Sequence, residues 1–257
     1  FAPRYLAEDW DPIGLSFGSK DQKVDKMMVA LDLDANTLKE AKEKNVDFIF
    51  THHPAIFSSL KTLNEEDTRR KEYIDLIRSE ISLYSAHTNI DAAENGMNDW
   101  LAEAIGLEKP YQIMDISYEG SEEKPYGMGR VALLKKPLTM EKLIKKVKEA
   151  YSVNHLRYSN SKLNKKIEKV AVLGGSGEDF YEQALSAGAD VYITGDVSYH
   201  GAQDMIRDGL AFIDPGHYIE NIFVEKMTAI LEEWKKEENW EIELLASNKQ
   251  RDVFNFK

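Results

Sequence analysis

The chain holds six histidines, His52, His53, His87, His155, His200 and His217. All but His155 stand just after a short apolar run, in what read as strand-to-helix turns. Ligand crevices of α/β sheets lie outside the carboxyl ends of the strands, so chemistry-bearing side chains gather there. In Phe48-Ile49-Phe50-Thr51-His52-His53-Pro54 an apolar run ends in two imidazoles. Adjacent side chains on extended backbone point to opposite sides. The pair is thus expected either to straddle a site and serve two metals, or to be solvated in a loop. The next run ends Ser85-Ala86-His87-Thr88-Asn89-Ile90-Asp91. Taken alone, Asp91 reads as a helix N-cap with Glu94 three residues on. A third piece, Asp214-Pro215-Gly216-His217-Tyr218-Ile219-Glu220, puts an imidazole and a carboxylate at i,i+3 on one face of a first helical turn. Glu220 there could equally compensate a helix dipole.

Taken together, His52, His53, Asp91, His217 and Glu220 give five N/O donors, more than one tetrahedral zinc needs. They suit two divalent ions about 3.5–4 Å apart. The chain has no Cys, so thiolate zinc, iron–sulfur clusters, disulfides and a cysteine nucleophile are excluded. Three imidazoles and two carboxylates favour Zn, Mn, Fe(II) or Ni.

The elements that must position these groups alternate. Strands are expected over 26–33, 46–50, 81–86, 129–134, 169–173, 190–194, 210–213 and 240–246. Helices are expected over 35–44, 65–79, 94–105, 139–150, 178–187, 200–208 and 220–238. Such alternation predicts an α/β architecture with a largely parallel sheet. The polar stretch 117–127 (SYEGSEEKPYG) is the best linker candidate and 158–166 a surface loop or hairpin tip. The expected lobes are 1–120 with 214–257, and 121–213.

With 257 residues, 33 Lys+Arg against 45 Asp+Glu and a net charge of −12, the chain is long enough for a sizeable core. Its acidity argues against a surface that coats nucleic acid. No apolar run approaches the roughly 18 residues of a membrane span. No apolar leader is legible, and the expected setting is the cytoplasm.

Thr51–Pro54 (THHP), Ser85–Asp91 (SAHTNID) and Asp214–Glu220 (DPGHYIE) resemble the Nif-three-like family, the GTP cyclohydrolase 1 type 2 homologues. Trp10–Leu15 (WDPIGL), Gly174–Gly177 (GGSG) and Tyr192–Asp196 (YITGD) match in the same order. The resemblance implies two intertwined α/β lobes with mixed sheets, in the short form without an inserted middle domain. It also implies a ring-shaped homohexamer with two divalent metal ions per subunit, held by His52, His53, Asp91, His217 and Glu220. Some members place the last glutamate four residues after the final histidine, where this chain has Asn221.

Beyond these ligands, His87 is expected to hydrogen-bond a ligand or to move protons, and His200 to touch substrate. Either could instead be a satisfied turn histidine. Gly174–Gly177 could offer backbone N–H groups to a phosphate, although a tight turn explains it as well. Asp196 could cap the next helix. The expected activity is metal-dependent hydrolysis of a nucleotide or phosphorylated small molecule. A non-enzymatic metal carrier and a nucleic-acid or protein interaction ring are the alternatives.

Overall fold

Short apolar runs rich in Val, Ile, Phe and Met become strands, and the amphipathic segments between them become helices, in a computed structural model that describes residues 1–116, 125–159 and 164–256. The chain divides into two units, Pro3–Asn89 with Phe223–Val253, and Ile90–Ile222 with a few residues from each end.

The unit containing Pro3–Asn89 is built from β1 (Gly14–Phe17), β2 (Lys26–Ala30), α1 (Ala35–Glu43), β3 (Phe48–Thr51), α2 (Thr68–Arg78), β4 (Ser82–Ser85) and β11 (Glu243–Ala246). Most of α8 (Ile222–Glu237) also belongs to it. Its sheet runs β1-β4-β3-β2-β11, with β1 antiparallel and the other pairings parallel. Met28, Ile49 and Leu83 pack with Leu38 and Ala41 of α1 and Leu76 of α2. Each of the Met, Ile and Leu side chains contributes about 1.5–3 kcal/mol on burial. The Asp34 and Asp67 carboxylates cap α1 and α2 by accepting from the N–H of Thr37 and Arg70. The expected strand 240–246 is present as β11, a partly exposed edge. β1 is not legible in the sequence: its four residues include a glycine at φ +113° and no apolar run.

The other unit carries α4 (Met97–Ala104), β5 (Gln112–Ile116), β6 (Gly127–Leu138), α5 (Met140–Ala150), β7 (Arg157–Tyr158) and β8 (Ile167–Ser176). It continues with α6 (Tyr181–Ser186), β9 (Val191–Gly195), α7 (Tyr199–Arg207) and β10 (Ala211–Asp214). The sheet order is β5-β6-β8-β9-β10-β7, parallel only at β8-β9 and β9-β10. Its core gathers Val131, Leu173, Tyr192, Met205 and Phe212. Burial pushes the Tyr192 phenol pKa far up, and its hydroxyl donates to the Gly177 carbonyl at 2.7 Å. The buried Arg130 guanidinium pairs with Asp99 and donates to the carbonyls of Gly127, Gly129 and Ala93.

The units change over at 89/90 and 222/223, whereas composition points to a linker at 117–127. Residues 117–124 lie outside the described residues, as do 160–163 within the expected loop 158–166. The flanks of 117–127 are β5 and β6, which pair in one sheet with Ile116 opposite Gly127. A polar composition there accompanies two neighbouring strands and not a change of unit. Among the described residues, no helix is long and apolar enough to cross a membrane.

Candidate metal centre

His52 and His53 leave β3 tethered to its neighbour, their N–H groups donating to the carbonyls of Ala30 and Leu31. The Thr51 hydroxyl bonds the His53 carbonyl at 2.8 Å and turns the chain. Because both residues lie beyond the last strand position, strict alternation no longer applies. The rings converge, with centroids 4.8 Å apart, instead of facing opposite sides. His52 is fully buried with Nδ1 3.0 Å from the Ala86 carbonyl oxygen. His53 has Nδ1 2.7 Å from the Asp32 carboxylate.

His87 joins this pair, its ring 5.1 Å from His52 and 5.6 Å from His53. A ligand nitrogen of each lies within 4.8 Å of the other two. Behind His87 stands Asp11, a buried carboxylate 3.2 Å from Nδ1. Asp11 also accepts from the Thr88 hydroxyl and N–H at 2.5 and 2.9 Å. Burial alone would raise the Asp11 pKa, but the bonds from His87 and Thr88 and the nearby imidazole outweigh it and hold the carboxyl below its ordinary value.

In the other unit, β10 ends at Asp214 and Pro215-Gly216 turns the chain, with Gly216 at φ +87°. A 3-10 helix, His217–Asn221, precedes α8. Residues at i and i+3 eclipse in such a helix. That alignment brings His217 Nε2 within 3.0 Å of the Glu220 carboxylate, and it favours Glu220 over position 221 as the partner of His217. His217 Nδ1 lies 2.7 Å from Asp196, at the end of β9. Asp196 therefore orients a histidine and does not cap a helix, since Ser198 caps α7.

Asp91 is buried within α3 (Thr88–Ala92) and is no N-cap, because α4 starts at Met97 with Gly96 before it. The fully buried Asn98 donates to the Asp91 carbonyl and accepts from the Gly174 N–H, both at 3.0 Å. Gly174 and Gly175 lie against Glu220. A Cβ on either would fall 2.9 or 2.8 Å from Oε1. The N–H of Gly174 is taken by Asn98 and that of Gly177 by Thr194, so neither is available to cradle a phosphate. His200 stands exposed on the first turn of α7, its ring against Tyr199. No metal-ligating group among the described residues includes it.

These donors fit a divalent metal. His52, His53 and His217 each set Nδ1 against an oxygen acceptor. That is how ligating imidazoles are oriented to present Nε2. The supporting residues Asp11, Asp32, Asn98 and Gln250 are not singled out by the motifs. The Gln250 side chain accepts from Leu31 N–H at 2.6 Å and donates to the Asp32 carbonyl at 3.0 Å. Asp11 lies within the WDPIGL segment and Asp32 just beyond β2. For Asp32 the strand-end rule that picks out the histidines is the available signal.

Residues 1–252 match the family described as Duf34/NIF3 (NGG1p interacting factor 3). A Streptococcus pneumoniae relative, "GTP cyclohydrolase 1 type 2 homolog", is 42% identical over 99% of this chain and 95% of its own length. A Clostridium perfringens relative of the same name is 38% identical over the same shares. The crystal structure of a Bacillus cereus protein related to NIF3 superposes with a TM-score of 0.94 at 26% identity, covering 100% of this chain and 96% of that one.

Proposed function

The chain belongs to the Duf34/NIF3 family, and on that premise we propose that it binds two divalent metal ions and hydrolyses a nucleotide or phosphorylated small molecule. The ligands in this reading are His52, His53, Asp91, His217 and Glu220. The observation that carries it is the shared anchoring of Nδ1 on His52, His53 and His217, the orientation in which ligating imidazoles present Nε2. Bound divalent ions supply Lewis acidity and make water a usable nucleophile near neutral pH. Asp32 and Asp196 hold His53 and His217 in one tautomer. His87, backed by the Asp11 carboxylate, holds or moves a proton at Nε2. The geometry favours His87 over His200 for that role. A homohexameric ring in the cytoplasm belongs to the same reading.

Metal analysis of the purified protein and of the His53→Ala, Asp91→Ala and Glu220→Ala variants tests the assignment. Two ions per chain are expected in the parent and fewer in each variant. Two ions retained in all three would overturn it. A hydrolysis screen of nucleotides and phosphoesters, with each metal restored, tests the activity. Full metal loading without turnover would leave a metal carrier.

A further inference from the structure

Trp10 and Phe57 are each 57% exposed. Their rings touch, with centroids 5.5 Å apart and planes at 52°. Both also border His87, at 6.1 and 6.4 Å with interplanar angles of 71° and 76°. None of these contacts is a parallel stack, so flat aromatic surface stays open to solvent. A single exposed apolar side chain needs no explanation. Two large rings that converge on one carboxylate-backed imidazole form a defined surface.

Their backbones are held as well. Trp10 precedes the buried Asp11, which is tied to Thr88 by two hydrogen bonds. The carbonyl of Ala55, two residues before Phe57, accepts from the Tyr73 hydroxyl of α2. The lip is thus carried by pinned segments.

We propose that Trp10 and Phe57 form a stacking subsite for a planar heteroaromatic ring, of the nucleobase kind, bordering His87. The flat face of such a ring covers the exposed aromatic surface, and its polar edge meets an imidazole able to donate or accept. A phosphate gains nothing from this surface, and a sugar, with no flat π face, gains less than a planar ring does. That the ring belongs to the substrate rests on the hydrolase reading above; the stacking itself does not.

The test is calorimetric titration of guanosine, cytidine and free ribose into the full chain, both metal-loaded and chelator-treated. Both nucleosides are expected to bind and ribose is not. Trp10→Ala and Phe57→Ala should each weaken nucleoside binding by roughly 5- to 150-fold. Trp10→Phe should keep most of the affinity, and metal content should hold in all three variants. Nucleosides binding no better than ribose, or an affinity indifferent to Trp10→Ala, would sink the proposal. So would a smaller assembly in sedimentation at unchanged affinity, which would assign the rings to contact between copies. Metal analysis reads the other hypothesis separately: stacking with no bound metal refutes the di-metal centre alone, and metal without stacking refutes the subsite alone.

Discussion

Glu220 and Gly175 are in contact so close that a Cβ on Gly175 would stand 2.8 Å from the glutamate Oε1. Gly175 also adopts φ +62°. The glycine pair at the end of β8 therefore sets the position of the carboxylate that faces His217.

Gly174→Ala separates position from backbone strain, since its φ is not in the left-handed region. Its new methyl group should push the Glu220 carboxylate aside. Metal affinity, measured by chelator competition, is expected to fall about 10- to 100-fold. Gly175→Ala should do the same and lose about 1–2 kcal/mol of stability besides. Unchanged affinity in both variants would mean that Glu220 does not depend on this turn.

Asp32 orients His53, and Gln250 in turn bonds the backbone on both sides of the Leu31–Asp32 junction. Asp32→Ala should weaken metal binding about 10- to 100-fold without removing a ligand. Gln250→Ala takes the acceptor from the buried Leu31 N–H, a loss of about 1–3 kcal/mol in urea unfolding. It should also lower metal affinity in the direction of Asp32→Ala. A loss of stability alone would make Gln250 a structural tie only.

Arg130→Met should destabilise the chain by about 3–5 kcal/mol, because it leaves the buried Asp99 carboxylate without its cation. The double variant with Asp99→Leu is expected to recover only part of this. The carbonyls of Gly127, Gly129 and Ala93 would lose a donor, and Asn95 N–H would lose an acceptor. Full recovery in urea melts would show that the ion pair alone mattered.

Glu40 supplies a pH dependence. Burial would raise its pKa, but the Lys44 ammonium at 2.6 Å and the Ser247 hydroxyl at 2.7 Å outweigh that and hold it below the ordinary 4.5. A carboxylate depressed in the folded state adds stability above its unfolded pKa, and that stability is lost as pH falls through the folded value. Glu40→Gln should therefore cost about 1–3 kcal/mol at pH 7. The gap between variant and parent should close below about pH 4.5. A gap that persists undiminished in strong acid would argue against the charged contacts as its source.

Much of this architecture is legible in the amino-acid sequence. Apolar runs such as Phe48-Ile49-Phe50 mark where strands end, and strand ends are where His52, His53, His87 and His217 stand. Asp91 is legible as a residue but not in its role. An acid followed three residues later by Glu94 looks like a capping box, and only the position of α3 shows that it lies inside a helix. The orienting groups are hidden for a different reason. Asp11 meets His87 across 76 positions of sequence, and Asp196 meets His217 across 21. No local pattern encodes such pairs. The exposed two-residue strand β7 carries no hydrophobic signal either, and it is defined only by its pairing with β10.

Gln250 bonds a residue 219 positions earlier, and this separates two moments in the life of the chain. During synthesis β2, β3 and β4 emerge together and can pair while most of the polypeptide is still unmade. The brace behind Asp32 waits for β11 to reach its place beside β2. His53 thus acquires its final support late, after every histidine of the β3 and β4 turns has been made. The orientation of His53 by Asp32 is therefore fully braced only once residue 250 is in place.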